Sequence, residues 1–127
     1  MTSKTMEARA IRKYIRSSPR KMRRVVNVVR GQNVAEALSA LHFLPQAATR
    51  PVKLAIKSAV YNLMDKFKDE RFDENDLFIH EIRVDEGPVF KRFRPAPRGR
   101  AHPYRKRLSH LTVIVGTARE DNEDDGE

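Results

Sequence analysis

Two strand-like segments on either side of a strongly basic stretch constrain the fold of this chain more than any other feature. Residues 90–107 hold eight Lys or Arg residues, three prolines and no acid. Strand-like residues precede this stretch, and the β-branched run LTVIV follows it. Two strands joined by one connection are most simply an antiparallel hairpin. The sequence therefore predicts a hairpin at about 78–117, with arms at 78–94 and 101–117 and a tip at about 92–103.

The predicted hairpin is too long and too charged to be part of a compact body. An arm of about 15 residues reaches on the order of 50 Å, whereas a globule of this size has a radius of gyration of about 14 Å. An isolated two-stranded hairpin is marginal in water. Closely spaced phosphates would neutralise its cations, and Phe90, Phe93 or Tyr104 could stack on unpaired bases. The alternative is a basic loop that binds nothing specific.

The remainder of the chain predicts one strand and three helices. Weak alternation over residues 6–16, broken at Ile11 and Ile15, indicates a short strand. Ser18, Pro19 and Gly31 are typical of the start and end of a first helix. Asn33 begins a second helix, and a third starts near Gln46. With the two long strands, this order predicts an α+β fold, in which three helices pack on one face of a small antiparallel sheet.

Charge predicts the class of partner. The chain has 26 Lys and Arg residues against 17 acids, and six of those acids lie in the last eight residues. Residues 1–119, expected to form a single domain, therefore carry a formal charge of +15, and residues 120–127 form an acidic, disordered tail. A body this basic attracts a polyanion, most simply nucleic acid. We expect no membrane partner and a cytoplasmic location, because no apolar signal or membrane-spanning run is present.

The first helix carries the second concentration of cations. Arg20, Lys21, Arg23, Arg24 and Arg30 accompany its apolar stripe without one acid to pair with them. A solvated helix face is the alternative explanation. We interpret the cations as part of the binding surface because they lack acidic partners.

Two other classes of function are open to a chain of this composition. An architectural DNA-binding protein also uses basic β-arms, although nothing in the sequence indicates a dimer. An enzyme is the other alternative, since His102 and His110 accompany Asp85 and Glu86. No phosphate-binding loop, metalloprotease motif or nucleophile elbow is present. The sequence predicts no enzyme, no cofactor and no metal site, and it contains no cysteine.

Several stretches resemble a known family. They are RSSPRKMRRVVNVVRG, SAVYN, VDEGPVFKRF, GRA and KRLSHLTVIV, and they span most of the chain outside the tail. In this order they resemble the bacterial form of the L-twenty-two family of large-subunit ribosomal proteins. The resemblance implies a small α+β body whose long hairpin threads through large-subunit ribosomal RNA (rRNA) to the wall of the polypeptide exit tunnel. It also implies support of early subunit assembly, neighbouring ribosomal proteins as partners, and a monomer within the ribosome.

Composition and resemblance together give the candidate site residues. The expected RNA-binding residues are Arg16, Ser18, Arg20, Lys21, Arg23, Arg24, Lys91, Arg92, Arg94, Arg98, Arg100, Arg105, Lys106, Arg107 and His110. The resemblance further implies that the hairpin tip meets the nascent polypeptide. The expected tunnel-tip residues are Phe90, Lys91, Arg92, Phe93, Arg94 and Pro95.

Overall fold

The fold consists of three helices on one small antiparallel sheet, as predicted. The computed structural model describes residues 6–45, 47–95, 99 and 101–118, and for residues 90–95 and 101–105 it describes the backbone alone. The predicted tail at 120–127 lies outside these residues. The elements in chain order are β1 (Glu7–Ile15), α1 (Pro19–Val29), α2 (Val34–Phe43), α3 (Thr49–Lys66), a 3-10 turn (Glu74–Asp76), β2 (Leu77–Pro95) and β3 (Ala101–Thr117).

The helices begin where local chemistry favours a start. The Ser18 side chain accepts a hydrogen bond from the Lys21 amide, and Pro19 opens α1. The Asn33 side chain caps α2 by accepting from two backbone amides. The expected start of α3 near Gln46 was too early, and Gln46 itself lies outside the described residues. With a start at Thr49, Pro51 falls in the first turn, where its missing N–H costs no helical hydrogen bond.

The sheet places β3 in the centre. Its strand order is β1-β3-β2, and both neighbours run antiparallel to β3. The β1 register is interrupted between Arg12 and Ile15, where two residues of β1 lie opposite one residue of β3. This bulge reverses the alternation of the strand, so that both Ala10 and Ile15 are buried. It accounts for the break in alternation at Ile15 in the sequence.

One core fills the space between the helices and one sheet face. It includes the stripe predicted for α1, with Met22, Val26 and Val29 fully buried. The inward residues of β3 are odd-numbered from Leu111 to Val115, which leaves the even-numbered residues on the face without helices. On β2 the core cluster ends at Val84. Among the side chains that the structure describes, none on β2 beyond Val84 belongs to this cluster.

Both edges of the sheet are covered by polar side chains from helices. On the β2 edge, Arg30 donates to the Ile82 carbonyl at 2.7 Å and Arg23 to the Val84 carbonyl at 2.9 Å. On the β1 edge, Asn62 of α3 donates to the Arg9 carbonyl at 2.9 Å. Unpaired edge groups are templates for aggregation. The helices thus protect the edges of the sheet as well as its apolar face.

The pairing of β2 with β3 continues beyond the end of β1. Pairing of β1 with β3 ends at Ser109, but β2 and β3 remain paired from Val89↔Arg107 to Pro95↔Ala101. These seven pairs span about 23 Å, so roughly half of the predicted 50 Å belongs to the body. The sequence around the tip, with Pro95, Pro97, Gly99 and Pro103, predicts that regular pairing is disfavoured there, yet Pro95 and Pro103 lie within strands. Pro95 is opposite Ala101 and Pro103 is opposite Phe93, and these two pairs lie two residues apart along the ladder, so they have the same hydrogen-bonding type. In such pairs the proline nitrogen can face the outer edge of its strand, away from the partner strand.

Candidate nucleic-acid interface

Helix α1 presents a cationic face to solvent. Its apolar stripe is buried, whereas Arg20, Lys21 and Arg24 are exposed. The first turn contains no acid, so these cations add to the positive end of the helix dipole instead of offsetting it. Within the described part of the chain, the Arg20 and Arg24 side chains make no hydrogen bond or ion pair. Their guanidinium groups are therefore available to phosphates.

Two other α1 arginines have structural contacts. Arg23 and Arg30 are exposed in part, yet each guanidinium donates to a carbonyl on the β2 edge. The sequence placed Arg23 in the RNA-binding set but did not reveal its hydrogen bond to the Val84 carbonyl. A guanidinium carries five N–H donors, so one bond to Val84 leaves others for a ligand. Arg23 can therefore support the fold and still contribute positive charge to the surface.

The start of α1 is joined to the root of the arm. The Ser109 hydroxyl donates to the Ser17 carbonyl at 2.6 Å, and Ser109 itself is fully buried. The register also sets Ile15 opposite Ser109. Arg16 and Ser18 therefore lie beside the strand segment that continues into Lys106 and Arg107. Two groups of predicted residues, far apart in sequence, are brought together at this junction.

The outer arm holds a third predicted group. Its backbone register pairs Lys91 with Arg105, Arg92 with Tyr104 and Arg94 with His102. Like charges directly opposite one another destabilise an antiparallel pair. By register and sequence, the arm therefore sets like charges opposite one another, and residues 90–107 contain no acid that could compensate them. The predicted residues Arg98 and Arg100 lie outside the described residues, as do the side chains of the predicted tunnel-tip residues.

His110 lies where β1 bulges. Its Nδ1 accepts a hydrogen bond from the Tyr14 amide at 3.1 Å, and the two rings form an edge-to-face pair with centroids 4.9 Å apart. Sequence reasoning named His110 but missed Tyr14, whose side chain is 59% exposed. The break in alternation just after Tyr14 was the available signal, since bulges re-aim side chains.

Asp85 and His110, whose types could indicate an enzyme, are each engaged by another residue. Asp85 lies opposite His110 in the register, but its carboxylate is 3.6 Å from the Arg83 guanidinium, and His110 Nδ1 is engaged by Tyr14. These contacts do not form a carboxylate–histidine pair. The described residues contain no group of three or more side chains suited to a metal ion. No helix in the described part of the chain is long and apolar enough to cross a membrane.

A basic α+β body with a charged, two-stranded arm is typical of nucleic-acid-binding proteins. Comparison with known proteins gives the particular family. The profile of the family described as "Ribosomal protein L22p/L17e" matches residues 10–116, and the chain belongs to that family. This confirms the resemblance detected in the sequence.

Relatives from several bacteria share most of the chain. The chain is 56% identical over 115 residues to "Large ribosomal subunit protein uL22" of Salinibacter ruber, with 91% of this chain and 94% of the relative covered. Proteins of the same name from Desulfitobacterium hafniense and Chlorobium phaeobacteroides are 46% and 50% identical. These matches cover 90% and 88% of this chain and 97% and 96% of the two relatives.

Proposed function

We propose that this chain is a structural constituent of the large ribosomal subunit that binds rRNA through one continuous basic surface. Membership of the family supports a role in translation, with rRNA and other ribosomal proteins as partners, within the ribosome of the cytoplasm. It also supports a structural role without enzymatic activity. The surface runs from the start of α1, across the Ser17–Ser109 junction, to the outer arm.

The observation that carries this proposal is the arm itself. Seven residue pairs of β2 and β3 lie beyond the end of β1, and Lys91 lies opposite Arg105 among them. Two isolated strands with opposed cations gain little stability by themselves. A partner with dense negative charge would turn that repulsion into attraction and release counterions on binding. Large-subunit rRNA has this chemistry, and binding it early would support assembly of the subunit.

Charge reversal on α1 tests the rRNA-binding surface. The double variant Arg20→Glu and Arg24→Glu changes two exposed cations that have no intramolecular contact within the described chain. The slope of log affinity for large-subunit rRNA against log salt should fall by between one and two, since each lost phosphate contact removes about 0.7–0.9. A matched control, Lys53→Glu and Lys57→Glu on α3, changes the total charge equally and should leave the slope close to that of the unaltered protein.

Two results would oppose the proposal. An equal loss of slope in both double variants would mean that overall charge, and no defined surface, controls binding. A preference for duplex DNA over large-subunit rRNA in direct competition would favour an architectural DNA-binding protein. Salt-dependent, rRNA-selective binding that is weakened by the α1 double variant and not by the α3 control supports the proposed function.

We further propose that the outer end of the arm contacts the nascent polypeptide at the wall of the exit tunnel. The proposal rests on family membership and on the length of arm that extends from the body. A photocrosslinking residue placed at Phe93 should label nascent chains in stalled ribosomes. The same group placed at Arg83, an exposed residue within the body, should not. Equal labelling from both positions would exclude a specific tip contact.

A further inference from the structure

A strained backbone conformation lies beside the root of the arm. Tyr14 has φ of 59°, and it is the single non-glycine residue with positive φ in the described part of the chain. The left-handed region is unfavourable for residues with a side chain of this size. Such strain persists where the surroundings determine it, and it often marks functional sites. Here the amide of Tyr14 is fixed by His110 Nδ1 at 3.1 Å.

The bulge leaves a large aromatic ring in solvent. The Tyr14 and His110 rings are perpendicular, at an interplanar angle of 90° and a centroid distance of 4.9 Å. In such a pair the edge of one ring meets the face of the other, so at least one face of the Tyr14 ring is not covered by His110. The 59% exposure of Tyr14 agrees with an open face. A flat and exposed ring of this kind is a platform on which a base can stack.

The partner histidine also presents a directed donor. Because Nδ1 accepts a hydrogen bond, the neutral imidazole carries its proton on Nε2. Within the described residues, no acceptor for Nε2 is present. His110 lies on the sheet face without helices, because Ser109 and Leu111 on either side of it point toward the body. The Nε2–H group can therefore donate to a base edge, a phosphate or a ribose hydroxyl.

The charged neighbours of this pair favour a nucleotide. Three exposed cations, Arg12, Lys13 and Arg16, flank Tyr14 in the chain. A fourth exposed cation, Arg107, lies on β3. Two acids on β2, Asp85 and Glu86, are paired in register with His110 and Ser109. The Arg83 guanidinium lies 2.6 Å from the Glu81 carboxylate and 3.6 Å from that of Asp85, so it offsets only part of this acidic charge, and the four cations outnumber the acids. The surroundings of the ring pair are therefore positive overall.

We propose that Tyr14 and His110 form a stacking site for one unpaired RNA base, with the adjoining phosphates held by the cations that flank Tyr14. The site rests on the proposed function, because it requires RNA at the root of the arm. It adds a contact to the base itself, whereas the α1 cations and the arm supply charge. Tyr14 makes the stacking contact, and His110 positions it and donates from Nε2.

Removal of the ring without the backbone strain tests the site. Asn tolerates the left-handed region, so Tyr14→Asn should retain the bulge and lose the platform. Stacking on one aromatic side chain is worth about 1–3 kcal/mol, so affinity for large-subunit rRNA should fall by roughly fivefold to 150-fold. The salt slope should not change, because no phosphate contact is lost. Tyr14→Phe, which keeps the ring, should bind as tightly as the unaltered protein.

A fluorescent variant gives an independent measurement. The chain has no Trp, so Tyr14→Trp introduces a single reporter whose emission should be quenched when a base stacks on it in large-subunit rRNA. Tyr61→Trp is the matched control, since Tyr61 is 67% exposed on α3, away from the bulge. Quenching at position 14 and none at position 61 supports the site.

The outcomes separate this site from the wider proposal. Unchanged affinity of a folded Tyr14→Asn variant, or equal emission of Tyr14→Trp with and without rRNA, would overturn the stacking site. A loss of affinity accompanied by a lower salt slope would also overturn it, since that pattern indicates lost charge contacts. In each of these cases the unaltered protein would still bind rRNA with a steep salt slope. Failure of the unaltered protein to bind rRNA would instead overturn the proposed function.

Discussion

Adjacent arginines on α1 should respond differently to the same substitution. Arg23 donates to the Val84 carbonyl on the β2 edge at 2.9 Å, whereas the neighbouring Arg24 side chain makes no hydrogen bond or ion pair within the described chain. Val84 is buried, at 5% exposure, so removal of the guanidinium leaves a carbonyl with little access to water. Hydrogen bonds that involve a charged group contribute about 1.5–3 kcal/mol, and neutral ones about 0.5–1.5 kcal/mol. Because Arg23 itself is largely in solvent, we expect about 1–2 kcal/mol for Arg23→Ala.

Thermal or urea unfolding would measure that difference. For a domain of this size, a loss of about 1–2 kcal/mol corresponds to a fall in Tm of roughly 3–10 °C. Arg24→Ala should change the free energy of unfolding by less than about 0.5 kcal/mol, as most exposed substitutions do. In rRNA titrations, however, Arg24→Ala should lower the salt slope by close to one phosphate contact.

The pair of variants can refute the assignment in two ways. Equal stability of Arg23→Ala and the unaltered protein would show that the bond to Val84 contributes nothing and that the edge is protected by other means. A loss of stability for Arg24→Ala as large as that for Arg23→Ala would show that α1 is sensitive to any loss of charge. Arg23→Lys is a useful third variant, since an ammonium can reach one carbonyl but lacks the planar geometry of the guanidinium.

Two further substitutions test other parts of the fold. A Cβ at Gly116 would overlap the Met6 carbonyl and lie 2.7 Å from His80 Cε1, so Gly116→Ala should lower the free energy of unfolding by about 1–3 kcal/mol through overpacking. An unchanged Tm for Gly116→Ala would contradict this packing. Gly31 has φ of 77° and open space around it, so Gly31→Ala should lower the free energy of unfolding by about 1–2 kcal/mol from backbone strain alone. Deletion of residues 91–105 with a short turn in their place should preserve a cooperative unfolding transition, because the core cluster on β2 and β3 lies at or before Val84 and at or after Leu111. Loss of cooperativity in calorimetry would show that the arm contributes to the body.

The helices could be predicted from sequence because their signals are local. Ser18 and Pro19 mark the start of α1, and the spacing of its valines identifies the buried stripe before any tertiary contact is known. The long strands were equally clear, since β-branched residues and the proline-containing connection bound them. The observed ends of β2 differ from the predicted arm by one residue, and those of β3 agree with it.

Features that depend on long-range contacts could not be predicted. The central position of β3 requires β1 to pair with a strand about 100 residues later, and the residues of β1 do not specify that partner. The bond from Arg23 to Val84 is equally non-local, so the sequence placed Arg23 in the RNA-binding set on the same grounds as Arg20 and Arg24. Tyr14 was missed because the register shift that exposes it becomes visible only once β1 is aligned with β3.

Salt should act in opposite directions on the free arm and on its complex. In the free protein, the opposed Lys91 and Arg105 repel each other, and dissolved ions screen that repulsion within about 8–10 Å. Higher salt therefore favours pairing of the free strands. In the proposed complex with rRNA, the same cations would neutralise phosphates, and higher salt would weaken the association because less is gained from counterion release. On that proposal, one set of charges would account both for weak pairing in the free arm and for its stabilisation by a polyanion.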